Sequence, residues 1–121
     1  MFKITTKPIV AIIGSRTIDS INFNYFIDKK EIAQIVSGGA QGVDTAAAQW
    51  AKQNRIDYIE FKPNYKVFGK RAPLERDKNI VEYCDVIHSF WDGKSTGTLF
   101  TMKYATKLGR PIYLHLIEER D

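Results

Sequence analysis

The sequence predicts an α/β protein: a Rossmann-like, doubly wound parallel sheet of about five strands in the order 3-2-1-4-5, with helices on both faces. Two observations carry this expectation. Five short apolar runs alternate with segments of helical periodicity, the pattern of a parallel sheet covered on both sides. Glycine-bearing loops follow the first, second and fourth of those runs. In the order 3-2-1-4-5 the chain reverses between strands 1 and 4. All three loops then meet at the crevice outside the carboxyl ends of the strands, where such sheets bind ligands.

Each element has its own signal. Pro8 to Ile13 reads as a buried strand, followed by the turn Gly14-Ser15-Arg16. Asp19 or Ser20 is placed to cap a short helix that turns Phe23, Phe26 and Ile27 inward. Ile32 to Ser37 is a second strand and leads into Ser37 to Asp44, Ser-Gly-Gly-Ala-Gln-Gly-Val-Asp. The next helix is the clearest, because Val43, Ala46, Ala47, Trp50 and Ala51 follow the spacing of one buried face. Tyr58 to Phe61 is a third strand. After a basic loop, Pro73 suits the first turn of a helix reaching about Tyr83. Asp85 to Trp91 is a fourth strand. Asp92 to Ser95 turns into a helix ending near Gly109, and Pro111 to Ile117 is a fifth strand.

With 121 residues the chain is long enough for one domain with its own core and too short for two, so residues 1-121 are read as a single unit. Its one cysteine, Cys84, excludes an internal disulfide and a Cys-built zinc site and fits a reducing compartment. No secretory pattern opens the chain, and its apolar run from Ile9 to Ile13 is too short to span a membrane. A cytoplasmic protein with no membrane association, no metal and no cofactor is expected. The formal net charge of +4 is local: between 62 and 78 six cations oppose only Glu75 and Asp77, and the rest of the chain balances. Such a patch suits an anionic ligand and is modest for a dedicated duplex-DNA binder.

The residues expected to bind ligand sit in the three loops. Gly38, Gly39 and Gly42 fall within five residues at a strand-to-helix junction, where backbone can approach a ligand and N–H groups of the opening helical turn can face a phosphate. Gly93 to Thr98 is a second candidate cradle, with hydroxyls on Ser95, Thr96 and Thr98 around Gly97. Arg16 and Arg76 are candidates to pair with phosphate as planar forks. Asp44, in the first turn of its helix, is read first as a brace for the loop N–H groups and second as an acceptor for a ribose hydroxyl. Asp77 and Asn79 are within range of a base or ribose, and Trp91 is a candidate to stack on a base. His88 and His115 are read as packed strand residues, Trp50 as core and Cys84 as inert. Neither cradle matches a P-loop or the dinucleotide fingerprint G-x-G-x-x-G, so ordinary dehydrogenase chemistry is unsupported.

Taken together, Gly14-Ser15-Arg16, Ser37 to Asp44, Arg76 and Ser95-Thr96-Gly97-Thr98 resemble the SLOG superfamily, which joins the DNA-processing protein A family with the "lonely guy" enzymes. The resemblance runs from about Ile9 to Leu114 and is nearest the small YspA/YpsA-related branch. It implies a Rossmann-like fold that binds a nucleotide or nucleotide-derived, ADP-ribose-like small molecule. The ligand-binding set it implies is Gly14, Ser15, Arg16, Gly38, Gly39, Ala40, Gly42, Asp44, Arg76, Ser95, Thr96, Gly97 and Thr98. A homodimer is one assembly it implies.

Superfamily members that cleave nucleoside 5′-monophosphates carry an arginine matched by Arg76 and a catalytic glutamate in Gly-Gly-x-Gly-Thr-x-x-Glu. Here Thr101 stands in that glutamate's place and has no carboxylate for acid–base work. Phosphoribohydrolase (N-glycosidase) activity is therefore an alternative that needs Asp44 or Asp77 as substitute, and the catalytic residues are left unassigned. A third reading is single-stranded DNA binding through the basic 62–78 segment. Its loop from Lys62 to Arg71 interleaves cations with Tyr65 and Phe68, a composition that also suits a lid over a small nucleotide.

Overall fold

A computed structural model describes residues 7–118. Its sheet has five parallel strands in the order β3-β2-β1-β4-β5, as the sequence predicts. These are β1 (Ile9–Gly14), β2 (Gln34–Ser37), β3 (Asp57–Glu60), β4 (Val86–Trp91) and β5 (Ile112–Leu116). The helices are α1 (Phe23–Phe26), α2 (Val43–Gln53), α3 (Tyr65–Phe68), α4 (Ala72–Tyr83) and α5 (Thr96–Lys107). Short 3-10 turns precede β2 at Lys29–Glu31 and α4 at Gly69–Arg71.

Alternation along the central strand divides the core in two. Val10 and Ile12 of β1 face α1 and α2, joining Ile35, Val43, Ala47, Trp50 and Phe90. Ala11 and Ile13 face α4 and α5, joining Val36, Ile80, Val81, Ile87 and Ala105. Both faces are therefore covered, and the five-residue register between β1 and β4 runs from Val10 opposite Val86 to Gly14 opposite Phe90. That pairing brings the loops after β1 and β4 side by side at the carboxyl edge. The loop after β2 arrives on the other side of β1.

The elements depart from the sequence reading mainly at their ends. α1 is a single turn beginning at Phe23, with Asn22 rather than Asp19 or Ser20 at its N-cap and no capping side-chain bond. Its position is set by packing: the Phe23 ring lies 5.4 Å from Trp50 and 5.3 Å from Phe90. The basic segment is also partly ordered into α3, where Asn64 Oδ1 accepts from Val67 N at 3.2 Å.

Candidate functional site

The three glycine-bearing loops enclose a cleft of about 760 Å³ at the carboxyl ends of the strands. Gly14 and Arg16 line it from the loop after β1, and Ala40 and Asp44 from the loop after β2. Ser95, Thr96, Gly97 and Thr98 line it from the start of α5, and Arg76 from α4. The other four expected residues stand behind this wall. Ser15 is buried and donates its N–H to Phe90 O at 3.0 Å, while its Oγ accepts from Asp92 N at 3.0 Å. Gly38, Gly39 and Gly42 shape the second loop.

Each of those glycines has a steric reason. A Cβ on Gly38 would stand 2.6 Å from Arg76 Cζ. Gly42 has φ +86° and caps α2, and a Cβ there would lie 2.7 Å from Ser15 O. Gly39 has φ +69°, and a Cβ would run into the Glu60 side chain. The left-handed conformation at Gly39 and Gly42 makes glycine the unstrained choice.

Polar groups left free point to an anion. Ser95 caps α5 by accepting from Thr98 N at 3.4 Å. The N–H groups of Thr96 and Gly97 have no hydrogen-bond partner among the described residues. An exposed helix N-terminus of this kind attracts phosphate. Arg16 and Lys94 border the cleft, and neither pairs with a carboxylate among the described residues.

Arg76 is committed differently from the expectation that it pairs mainly with phosphate. It is 8% exposed, donates Nη1 to Gly38 O at 2.6 Å and holds Asp77 Oδ1 through Nε at 2.7 Å. Nη2 is the part of the fork with no bond among the described residues. The guanidinium thus braces the glycine loop from behind.

Three carboxyls reach the cleft, and each is handled by its surroundings. Asp92 accepts from Lys94 N and Ser95 N, both at 2.8 Å, and from Thr17 Oγ1 at 2.8 Å. Those bonds, led by Lys94 N, hold it down at about 2. Asp77 is raised by burial against the opposing pull of Arg76. Asp44 is pushed by burial up to about 7, although Ala40 N donates to its Oδ2 at 3.2 Å and Arg76 pulls the other way. Its Oδ1 is buried with no partner among the described residues. Thr101 Oγ1 lies 2.9 Å from Gly97 O and 3.1 Å from Asp77 Oδ2. A carboxyl therefore does stand beside position 101, supplied by the neighbouring helix.

Sequence reasoning missed Thr17, Pro73, Leu74 and Asp92 as cleft-lining residues, and it covered Lys94 only as a member of the Gly93 to Thr98 cradle. Asp92 had a readable signal, because an aspartate opening a tight turn before a helix commonly binds N–H groups two and three residues on. Pro73 and Leu74 had none, since only the packing of α4 brings its first turn to the cleft. Residues 62–71 do not line the cleft, and Tyr65, Val67 and Phe68 are exposed. Trp91 also lies outside it, donating its indole N–H to Ser95 O at 3.0 Å. His88 and His115 share a 3.0 Å hydrogen bond between their rings. Cys84 is buried, which pushes its thiol up to about 11.

No helix among the described residues is long and apolar enough to cross a membrane. No group of three or more potential ligands among them is placed to hold a metal.

Sheet order, three converging loops and a cleft at the point of chain reversal define a Rossmann-like α/β protein with its candidate site at the topological switch point. Residues 8–68 match the model of the YspA, cpYpsA-related SLOG family, and the chain belongs to that family. It is 33% identical over 84 residues to the Gene 61 protein of Mycobacterium phage D29, a match covering 64% of this chain and 67% of that one. The fold is similar to that of DNA processing protein A (DprA) from Streptococcus pneumoniae, with a TM-score of 0.65 and 23% identity. That likeness covers 88% of this chain, which spans half the length of the DprA chain.

Proposed function

We propose that the cleft binds a nucleotide or a nucleotide-derived, ADP-ribose-like small molecule. In this reading the phosphates rest on the Gly38–Gly42 and Ser95–Thr98 loops, and Gly14 and Arg16 form the third wall with Ser15 bracing it from behind. Arg16 pairs with phosphate from the rim, and the free edge of Arg76 does so from the floor. The observation that carries the reading is that unpartnered helix N–H groups and two unpaired cations border one cleft. Its volume lies in the range of small-molecule sites. Family membership supports the same class of ligand.

A second reading, single-stranded DNA binding, is favoured by one observation: α3 and the turn after it expose Tyr65, Val67 and Phe68 beside Lys66, Lys70 and Arg71. Rings that stack on bases and cations that follow phosphates are the usual means of holding single strands. The structural likeness to a DNA processing protein points toward DNA as well.

One thermal-shift experiment separates the two. ADP-ribose and AMP at about 100 times their dissociation constants should each add roughly 2.7 kcal/mol, a shift of several degrees. Arg16→Ala should weaken that binding about tenfold, the effect of losing one charge-assisted contact, and leave the unliganded protein's Tm unchanged. No shift with either ligand overturns the cleft reading. A shift with oligo-dT that is lost on neutralising Lys66, Lys70 and Arg71 together moves the function to the α3 surface.

A further inference from the structure

We propose that ligand binding in this cleft is proton-coupled, with the Asp44 carboxyl taking up a proton when a phosphate-bearing molecule enters. The inference rests on the phosphate-binding reading above and adds the group that regulates it.

The geometry comes first. Asp44 lies in the opening turn of α2, is 7% exposed and forms part of the cleft lining. One carboxyl oxygen accepts a backbone hydrogen bond from Ala40 N, and the other has no partner within hydrogen-bond distance among the described residues, the backbone of Gly38 adding only a weaker pull toward the ionised form. An ionised carboxylate in such a place is poorly compensated. Its neighbours do little to help. On α4, Arg76 directs Nε to Asp77 and Nη1 to Gly38 O, so it acts on Asp44 only through space. Asp77, on the same helix, adds repulsion. On β3, the Tyr58 hydroxyl shares a 2.6 Å hydrogen bond with Ser37 Oγ, and Glu60 is a further acid facing the glycine loop. Across the cleft, Asp92 is occupied by three donors, while Arg16 and Lys94 stand at the rim.

A carboxyl balanced in this way near neutrality responds to any charge placed beside it. Burial brings Asp44 up to about 7, where a charge placed nearby shifts its ionisation near neutrality. A phosphate arriving on the adjacent loop adds like charge and favours the protonated form. By linkage, each proton taken up makes affinity fall as pH rises, by at most tenfold per pH unit above the free group's value. A neutral side chain at position 44 removes that dependence.

ADP-ribose is the probe, because its diphosphate diester has no proton that titrates near neutrality, whereas a phosphomonoester such as AMP titrates near pH 6. Calorimetric titration of the wild-type protein at pH 8, in two buffers of different ionisation enthalpy, counts the protons exchanged. Uptake approaching one proton is expected, together with a dissociation constant several-fold to tenfold weaker at pH 8 than at pH 7. Asp44→Asn should bind without proton exchange and with a pH-independent constant close to that of the wild type at lower pH. Wild-type binding with no proton taken up overturns this inference alone, as does uptake that survives in Asp44→Asn. The buffer comparison on the wild type needs no variant to fold. Absence of ADP-ribose binding at every pH overturns the underlying ligand reading and this inference with it.

Discussion

Gly38 and Arg76 are separated by 38 positions in the sequence, yet each explains the other. The arginine reaches Gly38 O because the glycine has no side chain: a Cβ would sit 2.6 Å from both Cζ and Nη1. The same guanidinium holds Asp77, so one side chain fixes the glycine loop and neutralises a carboxylate facing the cleft. Arg76→Ala should therefore destabilise the fold by about 2–4 kcal/mol, because it strands a buried carbonyl and removes the partner of a largely buried acid. Gly38→Ala should cost a similar amount by a different route, displacing the guanidinium rather than deleting it. In the Arg76→Ala background, however, that methyl no longer meets the guanidinium, which supplies its three nearest contacts. A double-mutant cycle by urea denaturation should show Gly38→Ala costing less than about 1 kcal/mol there. Additive costs would mean that the glycine is needed for another reason. This is the point at which Arg76 departs from what its sequence position implies: a cation in a basic segment reads as ligand-facing, and only the fold reveals the carbonyl it serves.

At the scale of elements, the loops after β1 and β4 act as one unit because Asp92 ties them together. Its side chain takes Lys94 N and Ser95 N at the start of α5 and Thr17 Oγ1 from the first loop, while Asp92 N donates to Ser15 Oγ. Asp92→Ala should cost about 1–2 kcal/mol, the worth of the hydrogen bonds with which it holds the turn before α5. It should also weaken ADP-ribose several-fold, because Ser95 to Thr98 lose their fixed position. Parallel denaturation and titration measurements check both effects. An affinity loss without any stability loss would place Asp92 in contact with ligand instead. How far such elements could be read in advance depended on where their information lies. α2 was legible because its buried face (Val43, Ala47, Trp50 and Ala51) repeats with helical spacing inside one segment. The five strands and their order followed from apolar runs and the handedness of crossovers. α1 was misplaced at its start, because a single turn held by Phe23 against Trp50 and Phe90 is determined by residues far along the chain. Nine of the thirteen expected site residues line the cleft, since glycine loops at strand ends are local signals. Pro73 and Leu74 were hidden because only helix packing brings them there.

For the whole molecule, two buried groups in different parts of the fold, Asp44 at the start of α2 and His88 on β4, act against each other as pH changes. Asp44, facing the cleft, is raised by burial from 3.8 to about 7. In the unfolded chain it ionises first, so its contribution to stability is greatest below about 4 and is lost as pH rises toward 7. His88, on β4, is lowered from 6.5 to about 4, by burial and then by the neighbouring His115 ring. The ring-to-ring bond needs one nitrogen that accepts, which a doubly protonated pair lacks. Unfolded His88 binds its proton first as pH falls, so its contribution is present above 6.5 and is lost as pH drops toward 4. The two slopes have opposite signs over nearly the same interval, and each is limited to about 1.4 kcal/mol per pH unit. Relative to the wild type, Asp44→Asn should gain stability as pH rises from 4 to 7, then level off. His88→Gln should gain relative stability as pH falls from 6.5 to 4. Urea denaturation of the three proteins at pH 4.5, 5.5, 6.5 and 7.5 measures both slopes. Parallel curves for Asp44→Asn and the wild type would mean that Asp44 has the same proton affinity folded and unfolded. Proton-coupled binding at that carboxyl would then lose its physical basis.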